Sequence, residues 1–436
     1  MRKNLKAEVI ILNILIRDIL AVLPEGPKVS TIYVVGDTIA AIDKAPEGFV
    51  ADKTINGCGK LLIPGLVNAH SHAYMTCFRN CADDLLFNDW LFGRIMPMED
   101  RLTGEDCYWT SMLGCIEMLM TGTTAYYDMG MFMDDAARAC IDTGIRGVLS
   151  RGLSGAPDGV DGPNPRLDQA RGYLKTWAGY DNLSFVIGPH APYTCTEDYM
   201  KQAAEVAKEL DLPIHIHLSE SLSEMETIRS QYGCTPIELA DRCGLLTNKT
   251  TAAHCVYATD EDIALLASRG VSVATNPISN LKLANGFAPV TKFMDAGINV
   301  CMGTDGASSN NALNMFRDLS VLTLVHKGNQ NDALAVTAEQ GFKIATINGA
   351  RAMCLEKTGE IREGWKADLV IMDLDRPSMR PVNNPVAALC YSASGYETET
   401  VIVGGRVCVE DGKMVNVDVN EVYAKVEEIC ERLGTR

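Results

Sequence analysis

Histidine is scarce in this chain, seven in 436 residues, yet His70 and His72 stand two apart in LVNAHSHAYM, directly behind the apolar run that follows Pro64 and Gly65. Imidazole is the commonest metal ligand and the side chain that titrates nearest neutrality. On a β-strand, residues i and i+2 face the same way, so both rings point to one place. Taken alone, such a pair is weak, and ordinary buried or surface histidines are the default reading. The other chemistry-bearing residues decide. His217 and His254 close the runs PIHIHLSE (213–220) and TTAAHCVY (250–257), Asp305 lies in NVCMGTDGASS (299–309), and Glu220 follows His217 by three. Imidazoles and a carboxylate converging without a partner would leave costly buried polar groups, and a metal ion removes that cost. Three imidazoles and a carboxylate suit Zn2+ and leave a position for water, with Fe2+ or Mn2+ as alternatives. Glu220, just past a strand end, is placed to move protons in a metal-assisted hydrolysis or, more plainly, to make a loop ion pair. His215 shares the direction of His217 and reads as a supporting or core histidine, outside the metal set. The run GPHAPY brings His190 but no lysine, and Lys201 falls in the following helix, so the bridging group of a two-metal site is missing and one ion is expected.

Positioning such a set takes several strand ends on one face. Short β-branched or apolar runs recur at 61–72, 121–128, 146–152, 184–193, 213–220, 250–257, 271–277 and 299–309, separated by segments with helical spacing. One of these, TEDYMKQAAEVAKEL (196–210), opens with Thr196 as an N-cap and acids in its first turn. Eight strand-helix units favour a closed parallel (β/α)8 barrel of the TIM type, an α/β fold that places its chemistry at the C-terminal ends of its strands. The flanks differ. Residues 6–60 and the segments 367–375 and 399–415 alternate apolar and polar residues between Gly-Asp turn signals. The expected organisation is a small β-sandwich built by both chain ends (1–60 with 356–418), the barrel (61–355), and a C-terminal amphipathic helix (419–436).

Composition narrows the partners. A formal charge of −17 repels phosphate backbones and anionic lipids, which excludes nucleic acid as the main partner and points to a small molecule. The longest apolar stretches, such as VIILNILI (9–16), are too short to cross a membrane. The 15 cysteines form no C-x-x-C pair and no secretory pattern opens the chain, so reduced thiols and a cytoplasmic location are expected.

These residues, in this order, resemble the amidohydrolase superfamily across nearly the whole chain, through PGLVNAHSH, HIHLSE, AAHC, NPISNLKLANGFAPV, GTDGASSNN and GEIREGWKADLVIMDLD. Within it, EDRLT, SRGL, GPHAPYTC and NLKLANG are similar to the cytosolic deaminases of 5'-methylthioadenosine and S-adenosylhomocysteine. The resemblance implies that His70, His72, His217 and Asp305 hold one zinc ion, that Glu220 moves protons, and that His254 orients the attacking hydroxide, Asp305 serving as ligand and base. It also implies substrate contacts: Glu99 to ribose hydroxyls, His190 to the nucleoside, Arg151 and Arg166 to an amino-acid carboxylate, Trp90 as an aromatic wall and Ser309 lining the site. Three of these keep a plainer reading: Glu99 as a helix-start charge, Arg166 as a solvated loop charge after GAPDGVDGPNP, Trp90 as core. The implied activity is hydrolytic deamination of an adenosine-type nucleoside by a homo-oligomer. The rivals are deamination or dechlorination of a guanine, pterin or triazine, two-metal cyclic-amide hydrolysis, and a catalytically silent scaffold.

Overall fold

The computed structural model describes residues 12–155 and 165–435. Most of the loop GAPDGVDGPNP, and the first eleven residues of the expected N-terminal β segment, lie outside them.

The strand runs of the middle of the chain pair into one parallel sheet. Its strands are Leu66–His72, Thr123–Gly130, Arg146–Leu153, Leu183–Pro189, Ile214–Leu218, Thr250–His254, Ser272–Thr275 and Val300–Met302, the last continued by Asp305–Gly306. Val300–Met302 pairs with the seventh strand while Asp305–Gly306 pairs with the first, so the eighth position closes the sheet into a TIM-type barrel. Gly303 makes the closure possible. A Cβ there would lie 2.5 Å from the carbonyl oxygen of His70 and 2.6 Å from its nitrogen, so only glycine lets the last strand pass so close to the first. Four strand-end residues, Ser219, His254, Cys255 and Asp305, have positive φ (50°, 70°, 49° and 63°). This is why the expected runs overshoot the observed strands: the polar residues that close them already turn out of the ladder.

The run expected as one strand over 61–72 is two. Lys60–Pro64 pairs with Leu369–Asp373, whereas Leu66–His72 pairs inside the barrel. The chain passes between sheets at Gly65, where a Cβ would sit 1.9 Å from Thr124 Oγ1. The two chain ends do pair with each other, in a single nine-stranded mixed sheet that includes Ile14–Leu23, Gly26–Val35, Lys60–Pro64, Leu369–Asp373 and Thr398–Val403. One face carries its own apolar core, including Ile14, Ile16, Ile32, Val34, Leu62, Leu369 and Ile402. The other face sends Leu61, Ile63, Val370, Met372 and Val401 into the barrel core. A buried bidentate pair ties the layers: Arg146, opening the third barrel strand, donates through Nε and Nη2 to Asp368, both at 3.1 Å.

Thr196 caps the helix Glu197–Leu210 by accepting from the Tyr199 N–H. The C-terminal helix runs Val419–Leu433 with Val422, Val426, Ile429 and Leu433 buried. Among the described residues no helix is long and apolar enough to cross a membrane.

Candidate active site

His70 and His72 end the first barrel strand, His217 lies one residue from the end of the fifth, His254 ends the sixth, and Asp305 opens the short return of the eighth. All five are buried. Their hydrogen bonds fix which nitrogen faces the centre. His72 Nδ1 lies 2.7 Å from the Met129 carbonyl and His217 Nδ1 lies 2.7 Å from the His190 carbonyl. A carbonyl only accepts, so each Nδ1 carries a proton and each Nε2 is the nitrogen turned to the centre, with a lone pair in the neutral ring. Those two Nε2 atoms stand 3.3 Å apart. Burial holds the His217 pKa well below the ordinary value, and neighbouring imidazoles add to this. His70 is similar. Burial pushes its pKa down to about 4 although Asp305 opposes this, and among the described residues its Nε2 has no hydrogen-bond partner.

Asp305 completes the arrangement. Its Oδ2 accepts from Ser279 Oγ (2.6 Å) and Ser309 Oγ (2.8 Å), which turns Oδ1 inward to 3.3 Å from both His70 Nε2 and His72 Nε2. Burial would raise this carboxyl, but the facing imidazoles outweigh it and hold the group well below the usual range. An ion about 2.0–2.1 Å from tetrahedrally disposed donors requires donor separations of roughly 3.3–3.4 Å. The observed contacts match that spacing. His70, His72 and His217, or His70, His254 and Asp305, could each hold a metal ion.

Around this centre stand groups with less accessible protons. Glu220 is buried, accepts from Asn285 Nδ2 at 3.3 Å, and lies 3.9 Å from His254 Nε2. Burial, aided by repulsion from Asp305, pushes its carboxyl up to about 8. His254 Nδ1 donates to Asn280 Oδ1 at 2.8 Å, and Asn276 joins this network with its amide oxygen toward His254 and its nitrogen toward the Gly303 and Thr275 carbonyls. His254 therefore presents Nε2 to the centre.

The expected substrate residues are placed less uniformly. Glu99 is half-buried at the end of the helix Met96–Glu99, accepts from Tyr74 OH at 2.5 Å, and is raised by burial despite that bond. His190 Nδ1 pairs with Thr194 Oγ1 at 2.8 Å, and burial with the neighbouring imidazoles takes its pKa down to about 3. Arg151 spends Nη1 on the carbonyls of Gly130 (3.4 Å) and Gly152 (3.0 Å) and Nε on Gln169 (3.4 Å), and makes no carboxylate pair among the described residues. Burial lowers its pKa, Arg166 adding its charge nearby. Arg166 donates to the backbone and hydroxyl oxygens of Ser154. Trp90 is buried beside Phe87 (centroids 5.9 Å apart), and its Nε1–H has no partner among the described residues. Ser309 is buried on Asp305, holding the carboxylate.

Several residues escaped sequence reasoning. Ser279, Asn280, Asn276 and Asn285 all come from NPISNLKLANG, a stretch whose polar residues had no individual roles until the fold turned them inward. His215 proves to support His70, its Nε2 lying 2.9 Å from His70 Nδ1, with its ring stacked on Tyr127.

A barrel with metal-binding donors at its strand ends defines a class, and comparison with known proteins names it: residues 61–408 match the amidohydrolase family, and the chain belongs to that family. It is similar to a 5-methylthioadenosine/S-adenosylhomocysteine deaminase of Caldanaerobacter subterraneus subsp. tengcongensis, at 43% identity over 97% of this chain and 99% of the relative. A 5'-deoxyadenosine deaminase of Methanothermobacter thermautotrophicus is 42% identical over 94% of this chain and 96% of its own length. The crystal structure of an adenosine deaminase from Xanthomonas campestris with bound zinc superposes with a TM-score of 0.92 at 31% identity, covering 97% of this chain and 99% of that one.

Proposed function

We propose that this protein is a zinc-dependent aminohydrolase that converts adenosine-type nucleosides, namely 5'-methylthioadenosine, S-adenosylhomocysteine, 5'-deoxyadenosine or adenosine, to the inosine analogue and ammonia. The observation that carries this reading is the pairing of a buried acid, Glu220, with a cluster of inward lone pairs on His70, His72, His217 and Asp305. The names of the full-length relatives support the substrate class.

In this reading His70, His72, His217 and Asp305 hold one ion, with Fe2+ and Mn2+ as ions the same donors would accept. The ion supplies a nucleophile from water at neutral pH. The chain supplies the proton movements. Asp305 Oδ1 takes the proton of the attacking water, its other oxygen pinned by Ser279 and Ser309. His254, locked by Asn280, orients that water through Nε2. Glu220 enters protonated, because burial holds its proton near neutrality, and passes it to the ring nitrogen beside the carbon bearing the amine. Asp305 then returns the water proton to the departing amine, the adduct's hydroxyl proton passes to Glu220, and collapse of the tetrahedral adduct expels ammonia. Glu99 engages the ribose hydroxyls, His190 the nucleoside, Trp90 the pocket wall, and Arg151 with Arg166 an acidic 5' substituent. Arginine's planar fork fits a carboxylate.

The composite sheet belongs to the same reading as a β-sandwich domain (1–60 with 356–418) beside the barrel (61–355) and the terminal helix (419–436). Its separate apolar core supports this. The reading includes a cytoplasmic homo-oligomer, in line with the free thiols of all 15 cysteines.

The test is ammonia release by the zinc-loaded protein from the four nucleosides, guanine and a pterin, with Glu220→Gln as the blank. Turnover of nucleosides and none by the blank is expected. Turnover of only a free base or pterin would overturn the substrate assignment.

A further inference from the structure

The C-terminal helix Val419–Leu433 ends against the segment that carries Trp90 and Glu99. Its last turns place Ile429 and Leu433 in one apolar cluster with Tyr74, Phe78, Trp90, Ile95, Met98 and Leu102. Tyr74 is the residue whose hydroxyl bonds Glu99. At the end of that helix the polar contacts are reciprocal. Arg101 donates through Nη2 to the Arg432 carbonyl (2.7 Å) and through Nη1 to the Leu433 carbonyl (2.8 Å). Arg432 in return donates through Nη1 to the Arg101 carbonyl (3.4 Å) and pairs through Nη2 with Asp106 Oδ2 at 2.6 Å.

Helix-end carbonyls have no partner within their helix and carry partial negative charge, so a guanidinium fork is a matched cap. Asp106 is itself committed to the capping box that starts the next helix, Gly104–Met120. Only Asp100 separates Arg101 from Glu99, and the Leu102 N–H donates to the Glu99 carbonyl at 2.9 Å. The carboxylate of Glu99 therefore sits on a short rigid turn clamped from the far end of the sequence.

We propose that Arg101 and the end of the C-terminal helix form a latch that positions Glu99 for the sugar of the substrate, so that the chain terminus is part of the nucleoside specificity device. Arg101 is a positioning residue, acting through Glu99 without touching the substrate. This rests on the assignment of Glu99 to the ribose hydroxyls.

The experiment measures kcat/KM for adenosine and for 2',3'-dideoxyadenosine in the zinc-loaded enzyme and takes their ratio. Glu99→Gln should lower that ratio. Arg101→Ala should lower it by about tenfold to a hundredfold, the cost of displacing a positioned group by about an ångström. Most of the change should be in KM for adenosine. The double variant Glu99→Gln/Arg101→Ala should lose no more than Glu99→Gln alone, and Arg101→Lys, which keeps one donor for the carbonyls, should recover part of the ratio. Arg432→Met, which leaves the Arg101 side chain intact, should act in the same direction and serves if Arg101→Ala does not fold. If Glu99→Gln leaves the ratio unchanged, the ribose assignment itself fails. If Glu99→Gln lowers it while Arg101→Ala and Arg432→Met reduce activity on both substrates equally, the latch is merely structural and the inference is overturned.

Discussion

Replacing His215 by phenylalanine tests the contact that favours the metal-binding tautomer of His70. His70 can offer Nε2 to an ion only if its proton sits on Nδ1, and His215 Nε2, 2.9 Å away, is the acceptor that keeps it there. Phenylalanine preserves a flat ring against Tyr127, whose centroid lies 4.0 Å from that of His215. It removes the acceptor Nε2 together with Nδ1, which has no partner among the described residues. In the loaded protein the Nδ1–H of His70 then stays buried and unsatisfied, a cost of about 1–3 kcal/mol. In the ion-free protein that cost is avoided, because the proton can move to Nε2 and meet Asp305 Oδ1, 3.3 Å away. The penalty therefore falls on binding, and the outer partners of ligating histidines are worth about 10–100-fold in metal affinity. Competition for zinc against a chromophoric chelator should show a loss in that range. The thermal midpoint of the ion-free variant should hold or rise, since the orphaned His215 Nδ1 disappears with the ring. An affinity within about twofold of the parent would refute the tautomer argument, because a free hydrogen-bond partner is worth more than that.

Two further outcomes test the surroundings of the site. Glu224 accepts from the Glu220 N–H at 2.7 Å, and burial, with repulsion from Glu220, takes its carboxyl from the ordinary 4.5 up to about 8. A raised pKa gives stability that is full below 4.5 and lost as pH rises through about 8, so the melting temperature of the ion-free protein should fall across that window and Glu224→Gln should flatten the fall. Asp368→Ala, which strands the buried Arg146 guanidinium between barrel and outer sheet, should cost about 3–5 kcal/mol in urea unfolding, and a change below about 1 kcal/mol would show that the pair is dispensable.

Much of the site was legible because local chemistry follows local periodicity. The i, i+2 spacing of His70 and His72, and the placement of His217, His254 and Asp305 where apolar runs give way to polar ones, depend only on strand geometry and on barrels placing polar residues at strand ends. The alternating runs of the two flanks likewise marked strands at both ends of the chain. Gly65 did not announce that its run divides between two sheets, because the obstacle is Thr124, fifty-nine positions away in sequence.

Residue identity and short-range spacing specify the donor types, their order and the barrel that gathers them. How each donor is aimed depends on contacts made across the closed barrel. Carbonyls of Met129 and His190 choose the tautomers of His72 and His217, Ser309 turns out to hold Asp305, and Arg101 reaches carbonyls 331 and 332 residues away. Such contacts join side chains and backbone groups that no local pattern relates. The elevated carboxyl of Glu220 has the same origin, because burial is a property of the closed barrel and not of the residue.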